Sequence, residues 1–391
     1  MEFADVDLIV IGAGCAGLSL GFNLAKMGNA APRTVFLEQR SDYQNDRTWC
    51  FWGFPKTPFM ELVHNRWSTV KINDSNKKST LIHCESSPYQ LLVASDFYEH
   101  TLANITQNKR LDLRMGIQLS SEPTLEGHDW LIHTNHGSFK TKAIIDTRPI
   151  SINSMGNTKL WQSFVGYEIT CDQPVFDPNM AYLMDFCEPN DTFVGFTYVL
   201  PFSSKSALLE FTSFGSQPYS KDDLLDQLEK TISKYVGKRH FSVTRTESGL
   251  IPMGLESKIA AKGNKIPASY ARVGVTTGSA RPATGYTFQR IQIWAQKCAK
   301  ELQQTGLPIN HPPDSFLLSI MDDIFLNVLR NNPAIGSALF MDLFSKVSHP
   351  RLIRFLSDQG SLLDHLAVIV ALPPAPFLKE VLQILKQKLS R

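Results

Sequence analysis

A surplus of charge of either sign is missing from this sequence. Its 391 residues carry 39 Lys and Arg against 37 Asp and Glu, a formal net charge of +2. No basic excess is available to neutralise a phosphate backbone, so a nucleic-acid partner is not expected. Cysteine is sparse. Cys15, Cys50, Cys84, Cys171, Cys187 and Cys298 are scattered, and no two form a Cys-x-x-Cys pair. A metal site is therefore not expected, and free thiols in a reducing cytoplasm are the expected state. Long apolar runs are absent too. The longest, Leu366 to Leu372, stops at Pro373 and Pro374, whereas a spanning helix needs about 20 apolar residues. The opening residues are acidic rather than basic, so no secretory signal is expected, and membrane contact is expected to be peripheral at most. There is no low-complexity tract and no evident repeat. With 43% hydrophobic residues the chain has material for a large core, and its length suggests two to three domains at about 150 residues each.

The N-terminal segment is informative. Val6 to Ile11 reads as a short buried strand, and Gly12-Ala-Gly-Cys-Ala-Gly17 follows it. Leu18 to Ala25 has helical spacing, and Thr34 to Leu37 reads as a second strand that closes on Glu38. In this setting each glycine has a physical task. Gly12 permits the tight turn, Gly14 lets backbone approach a pyrophosphate, and Gly17 lets helix pack closely on strand. Amides at Cys15 and Ala16 would open the helix toward the anion. Glu38 stands where an acid binds ribose hydroxyls and disfavours a 2′-phosphate. Cys15 itself reads as a small packing residue.

A later segment resembles a flavin-contacting turn. Residues 271–278 read as a strand entering a glycine turn at Gly278, and Arg281-Pro-Ala-Thr-Gly-Tyr286 leads into a helix. Gly278, Thr284 and Gly285 are the candidate cofactor contacts there. Between these ends, 65–84 looks like a β excursion and 95–104 like a helix. Residues 111–116, 130–134 and 143–146 look like strands. The stretch 160–214 is strand-rich, 219–235 helical, 272–275 a returning strand, 286–303 helical, and the chain is mainly helical from about 313. Segment 43–56 is aromatic and irregular. The expected architecture is an α/β two-domain FAD-binding flavoprotein. A discontinuous Rossmann-type domain (1–150 plus 268–305) would carry a β-rich substrate domain (151–267) and a helical C-terminal region (306–391).

The chain resembles the FAD-dependent lycopene cyclases of bacteria and plants along nearly its whole length. The resemblance rests on the glycine fingerprint, Asp46-Arg-Thr-Trp-Cys-Phe-Trp52, Leu160-Trp-Gln-Ser-Phe-Val-Gly166, Leu183-Met-Asp-Phe186, Glu247-Ser-Gly-Leu-Ile-Pro-Met253, the 281–286 segment and Ala371-Leu-Pro-Pro-Ala-Pro-Phe377, in that order. It implies that lycopene is the substrate, that its acyclic ends are closed into β-ionone-type rings by proton chemistry, and that reduced FAD assists without net redox change. NAD(P)H would serve only as the upstream reductant. It also implies that Glu210, in Ala207-Leu-Leu-Glu-Phe-Thr212, is the acid. Many family members carry a second carboxylate where this chain has Phe211.

Protonating an alkene needs a strong acid in a dry site. Burial would favour the protonated form of Glu210, and Phe196, Phe202, Phe211 and Phe214 are candidates for its apolar surround. Aromatic faces stabilise cations, so Trp49, Phe51 and Trp52 are candidates for the cavity wall, and Glu247 and Asp185 for polar roles. Absent the resemblance, Glu210 would read as a solvated strand residue and the tryptophans as core. Two other readings stay open: a redox flavoenzyme such as a monooxygenase or reductase of isoprenoid substrates, and a repurposed paralogue that binds flavin without cyclising. Phe377 to Leu389 is amphipathic, with Phe377, Val381, Ile384, Leu385 and Leu389 near one face and Lys379, Lys386, Lys388 and Arg391 adding positive charge. This pattern suits a helix lying on anionic lipid, and the expected location is the cytoplasmic face of the membrane.

Overall fold

The all-apolar run Val6–Ile11 forms strand β1 at the middle of a mainly parallel sheet, in a computed structural model that describes residues 6–152, 157–255 and 267–389. Helix α1 (Cys15–Ala25) and β2 (Thr34–Leu37) complete the expected unit. An excursion then supplies β3 (Thr48–Trp52), β4 (Asn65–Trp67), β5 (Thr69–Asn73), β6 (Ser79–His83) and β7 (Tyr89–Val93). The chain returns through α2 (Ala94–Gln107), β8 (Leu111–Arg114), β9 (Thr124–Glu126), β10 (Asp129–Thr134) and β11 (Gly137–Asp146). The strand order of this first sheet is β8-β2-β1-β11-β10-β9. A late strand, β17 (Tyr270–Arg272), adds in parallel beside β11. The sheet thus recruits a segment more than a hundred residues downstream.

The second sheet is built from β12 (Leu160–Cys171), β13 (Met180–Phe186), β14 (Phe193–Pro201), β15 (Ser206–Gly215) and β16 (Phe241–Met253), plus β5 and β6, in the order β16-β12-β15-β14-β13-β5-β6. Residues 69–83 therefore belong to this sheet, which draws on two stretches of chain rather than on 151–267 alone. One face is covered by α3 (Lys221–Val236), whose Leu224, Leu228, Ile232 and Val236 recur every four residues and bury against Val165, Leu209 and Phe211. A capping box between Ser220 and Asp223 starts that helix.

The other face meets a small sheet of β3, β7 and β4 together with the C-terminal helices. After α4 (Phe288–Thr305), these are α5 (Phe316–Asn331), α6 (Gly336–Lys346), α7 (His349–Leu356), α8 (Leu362–Ala371) and α9 (Pro374–Leu389). A buried ion pair locks this cap to the late glycine segment. Arg281 makes two bonds of 3.2 Å to the Asp322 carboxylate and lies 4.4 Å over the Phe355 ring. The face of α9 expected to meet lipid instead packs inward: Phe377 stacks on Phe325 of α5, and Val381 and Ile384 are half-buried. The side chains of Leu385, Lys388 and Leu389, and Arg391 altogether, lie outside the described residues. Among the described residues no single helix is long and apolar enough to cross a membrane, but α8 and residues 374–384 form a bent apolar pair turning through 108°.

Candidate active site

The glycine loop has the geometry its three glycines imply. Gly12 adopts φ +90°, and a Cβ there would lie 2.7 Å from Thr147 Oγ1. A Cβ on Gly17 would lie 2.2 Å from the carbonyl oxygen of Gly12, so helix and turn touch backbone to backbone. Gly14 has open space beside it, the nearest atom being Arg40 Nη2 at 3.9 Å. No side chain caps α1, which leaves the Cys15 and Ala16 amides at its open end for an anion. Burial pushes the Cys15 thiol up to about 12, so it is a neutral packing group. Glu38 ends β2 and accepts the Ala13 amide at 2.6 Å and the Arg40 amide and Nε at 2.9 and 3.0 Å. Burial alone would raise its carboxyl, but the bonds and charge of Arg40, with the Ala13 amide, hold it below the usual range.

The late segment adjoins this loop. Gly274 packs against the carbonyl of Thr147, the same residue that Gly12 touches, and Gly278 (φ +91°) faces open space. Gly285 (φ +70°) instead meets the second sheet, where a Cβ would lie 2.5 Å from Gln162 Oε1, and Thr284 Oγ1 accepts the Tyr286 amide. The segment spans from the glycine loop to the second sheet. The open sides of Gly14 and Gly278 are cradles that a Cβ would fill, and they fit an extended dinucleotide such as FAD.

Glu210 belongs to a row of four residues across the second sheet. Tyr198 (β14) pairs with Glu210 (β15), Glu210 with Gly166 (β12), and Gly166 with Glu247 (β16). Gly166 has no side chain on the face between the two glutamates, so their carboxyl groups come within hydrogen-bonding reach of each other. The two are differently supported. Glu247 Oε2 accepts Arg245 Nη1 at 2.6 Å and Thr48 Oγ1 at 2.9 Å, while Arg245 Nε also bonds Glu168 at 3.0 Å. Glu210 receives one neutral bond, from Thr212 Oγ1 at 2.8 Å. Burial and then the charge of Glu247 push its carboxyl well above the ordinary range, and the Thr212 bond offsets only part of this.

Strand alternation decides what faces this pair. Thr48, Cys50 and Trp52 project from one face of β3 toward the second sheet, where Thr48 reaches Glu247 and Cys50 neighbours Tyr198. Trp52 meets Tyr89 edge to face at 4.8 Å, and the Tyr89 and Tyr198 hydroxyls are in contact. Tyr286 completes this wall, its hydroxyl pushed up to about 12 by burial. Phe196 and Phe214 share the Glu210 face, 5.2 Å apart.

Two expected pocket residues are corrected. Phe211 points to the opposite face of β15 and packs under α3. It lies one residue from Glu210 on a strand, so it cannot share that residue's surround. Trp49 likewise turns away from Glu247 and stacks on Phe288 at 5.3 Å, beside Phe97. Phe51 joins it in that core. Asp185 is a tie between α3 and the sheet, accepting Lys234 at 2.5 Å, Tyr235 at 2.6 Å and Asn73 at 3.2 Å. Sequence reasoning missed Thr48, Arg245, Gly166, Tyr198, Tyr89 and Tyr286. The i, i+2 spacing of Arg245 and Glu247, and of Thr48, Cys50 and Trp52, was the available signal. A cavity of about 260 Å³ between α1, α4 and residues 56–61 lies apart from these groups, whereas one of about 30 Å³ is lined by Cys50, Trp52 and Tyr286.

Residues 7–382 match the family model described as lycopene cyclase protein. The chain is 23% identical over 387 residues to a lycopene beta-cyclase of Pseudescherichia vulneris, covering 95% of each. It is 22% identical over 378 residues to the lycopene beta cyclase of Capsicum annuum, covering 90% of this chain and 71% of that one. Among solved structures, a geranylgeranyl bacteriochlorophyll reductase-like protein of Thermoplasma acidophilum superposes with TM-score 0.63 at 13% identity, covering 96% and 98% of the two chains. A p-nitrophenol 4-monooxygenase of Pseudomonas putida gives 0.60 at 12% identity, covering 99% and 98%. These two likenesses establish a shared fold.

Proposed function

Since this chain belongs to the lycopene cyclase family, we propose that it closes the acyclic ends of lycopene into β-ionone-type rings, with FAD bound and no net redox change. One observation carries the reading beyond family membership. A carboxyl group with no cation of its own, Glu210, is held half-buried against an ion-paired carboxylate. That arrangement raises the Glu210 carboxyl above the ordinary range and favours its protonated form.

The residues divide the work as follows. Glu210 holds the proton that is given to the terminal double bond, and Thr212 fixes the orientation of its carboxyl. Phe196 and Phe214 on its own face exclude water. Trp52, Tyr89 and Tyr286 offer aromatic faces to the positive charge that develops. The glycine loop, the late turn and Glu38 hold the dinucleotide, and Glu38 favours an unphosphorylated ribose on it. Bound in its reduced form, FAD would supply an electron-rich ring that lowers the cost of a nearby cation. NAD(P)H is the proposed source of that reduction, upstream of the ring closure.

Membrane association follows from the substrate, a long hydrocarbon, and from an exposed apolar surface that suits it. On α8, Val370 is 83% exposed and Leu362 is 72% exposed, with Leu363 and Leu366 beside them. On α9, Leu378 and Leu382 are exposed, as are Lys379 and Lys386. We place this helix pair, rather than the α9 face that packs on α5, at the cytoplasmic membrane surface. Flotation with anionic liposomes tests it: the protein is expected to float, and Leu363→Asp with Val370→Asp to stay at the bottom.

The function itself is tested by expressing the gene in a lycopene-accumulating host and analysing pigments by mass. A ring-containing product of unchanged mass is expected. Oxygenated or saturated product would support a redox enzyme instead, and unchanged lycopene a non-cyclising paralogue.

A further inference from the structure

We infer that Glu210 and Glu247 divide the proton traffic of the ring closure: Glu210 delivers a proton and Glu247 removes one, with Arg245 and Thr48 as positioning residues that keep Glu247 the acceptor. The inference rests on the cyclase reading above and goes beyond it, since that reading needs only an acid.

Three observations lead here. The two carboxyl groups are brought together by the row Glu210–Gly166–Glu247, on one face of the sheet. Their partners are of opposite kind. Glu247 takes two donors on Oε2, one of them the guanidinium of Arg245. Glu210 takes a hydroxyl donor only. Cationic donors favour a charged carboxylate, and their absence favours the neutral acid. Finally, both bonds to Glu247 fall on one of its oxygens. The other is left for a proton.

The chemistry matches this division. The O–H bond of Glu210 breaks as the π pair of the terminal alkene forms a C–H bond, leaving a tertiary cation. The π pair of the neighbouring double bond then forms the ring C–C bond and moves the cation one carbon beyond. A C–H bond next to that cation breaks, its electron pair becomes the ring double bond, and the proton passes to Glu247. The carbon that gains a proton and the ring-junction carbon that loses one in forming a β ring share a common neighbour. Two adjoining carboxyl groups can serve both. A carboxylate paired with Arg245 is a weak base, but a proton beside a carbocation is so acidic that a weak base suffices. Transfer of the proton between the two carboxyls, or exchange with water between turnovers, restores the starting state. No electrons are gained or lost.

The position of the acceptor then selects which C–H bond breaks, and so which ring isomer forms. Flavin-loaded wild type, Glu247→Gln, Glu247→Ala and Arg245→Gln are compared for rate and for the position of the ring double bond. Glu247→Gln is expected to slow ring formation about 100-fold or more, as loss of a general base does. The rings that still form should shift from β toward isomers made by losing a different proton, and Arg245→Gln should shift them the same way. Glu247→Ala should recover part of its rate in added formate, a small carboxylate. A merely structural Glu247 would move neither isomer composition nor formate response. Near wild-type rate with unchanged isomers in Glu247→Gln, or no recovery of Glu247→Ala by formate, overturns the inference and leaves the cyclase reading intact. Failure of wild type to make any ring would sink the cyclase reading itself.

Discussion

Gly166→Ala perturbs the spacing of the two carboxyl groups without substituting either. The added methyl would stand 3.1 Å from Glu210 Cβ, 3.3 Å from Leu208 Cδ1 and 3.3 Å from the carbonyl oxygen of Leu209. Those contacts are tight but not impossible, so β15 must yield by a few tenths of an ångström. Overpacking by one methyl costs about 1–3 kcal/mol. The backbone preference for Ala over Gly in a strand returns about 0.5–1 kcal/mol, so the net destabilisation is about 0.5–2 kcal/mol. The chemical effect should be larger than the thermodynamic one. A 1 Å misplacement of a reacting group can cost about 100-fold in rate, and a few tenths of an ångström correspondingly about threefold to tenfold. Moving Glu210 away from Glu247 also weakens the repulsion that raises its carboxyl, so the falling limb of the pH–rate profile should move to lower pH. The titratable and charged groups beside Glu210 are Glu247, Arg245, Tyr198 and Cys50, of which Glu247 is the negative charge. The assay is lycopene conversion against pH by purified, flavin-loaded protein, with a thermal melt on the same samples. A folded variant with wild-type rate and an unmoved pH profile would refute the idea that the spacing of the pair matters.

Further outcomes are expected from the same geometry. Glu210 has a folded-state carboxyl raised above its unfolded value, so its burial costs stability once pH rises past the ordinary carboxylate range. Glu210→Gln should therefore be more stable than wild type at neutral pH, with the gain vanishing in acid, as chemical denaturation at the two pH values would show. Gly17→Ala would force a Cβ to 2.2 Å from the Gly12 carbonyl oxygen, and loss of bound flavin absorbance from a folded protein is expected. Asp322→Ala leaves the buried Arg281 guanidinium only Asp358 at 3.5 Å and the Phe355 carbonyl, and should destabilise by less than the about 3–5 kcal/mol of a buried pair broken outright, in a denaturant titration.

The parts of this fold governed by local pattern were legible in the sequence. β1, the glycine turn and α1 follow from an apolar run, three glycines and a helical apolar repeat, all within a few residues. β17 could be expected from its apolar run before a glycine turn, although its partner β11 is remote. β16 was not recognised, because Phe241 to Arg245 alternates little and lies on an exposed sheet edge where polar residues are tolerated on both faces. β3 was hidden because Trp49, Cys50, Phe51 and Trp52 are apolar in succession. Both faces of that strand are packed, one toward α2 and α4 and the other toward the second sheet. The same fact explains the site residues. Family resemblance points to Glu210 and to an aromatic segment, but not to the face each side chain takes. Phe211 and Trp49 lie next to candidate site positions in sequence and across a strand from them in space. The Arg245–Glu247–Thr48 cluster joins residues about 200 positions apart, and that juxtaposition comes only from the fold. On α9, amphipathicity marked an apolar face correctly but could not say that α5, rather than lipid, covers it.

Anaerobic conversion of lycopene by purified, flavin-loaded Glu210→Gln beside wild type tests the central claim most directly. Wild type should give ring-containing product of unchanged mass, and the variant should keep its flavin and return lycopene untouched. Ring formation by that folded, flavin-bound variant would contradict the account, because among the described residues no other carboxyl of this kind stands beside Glu247.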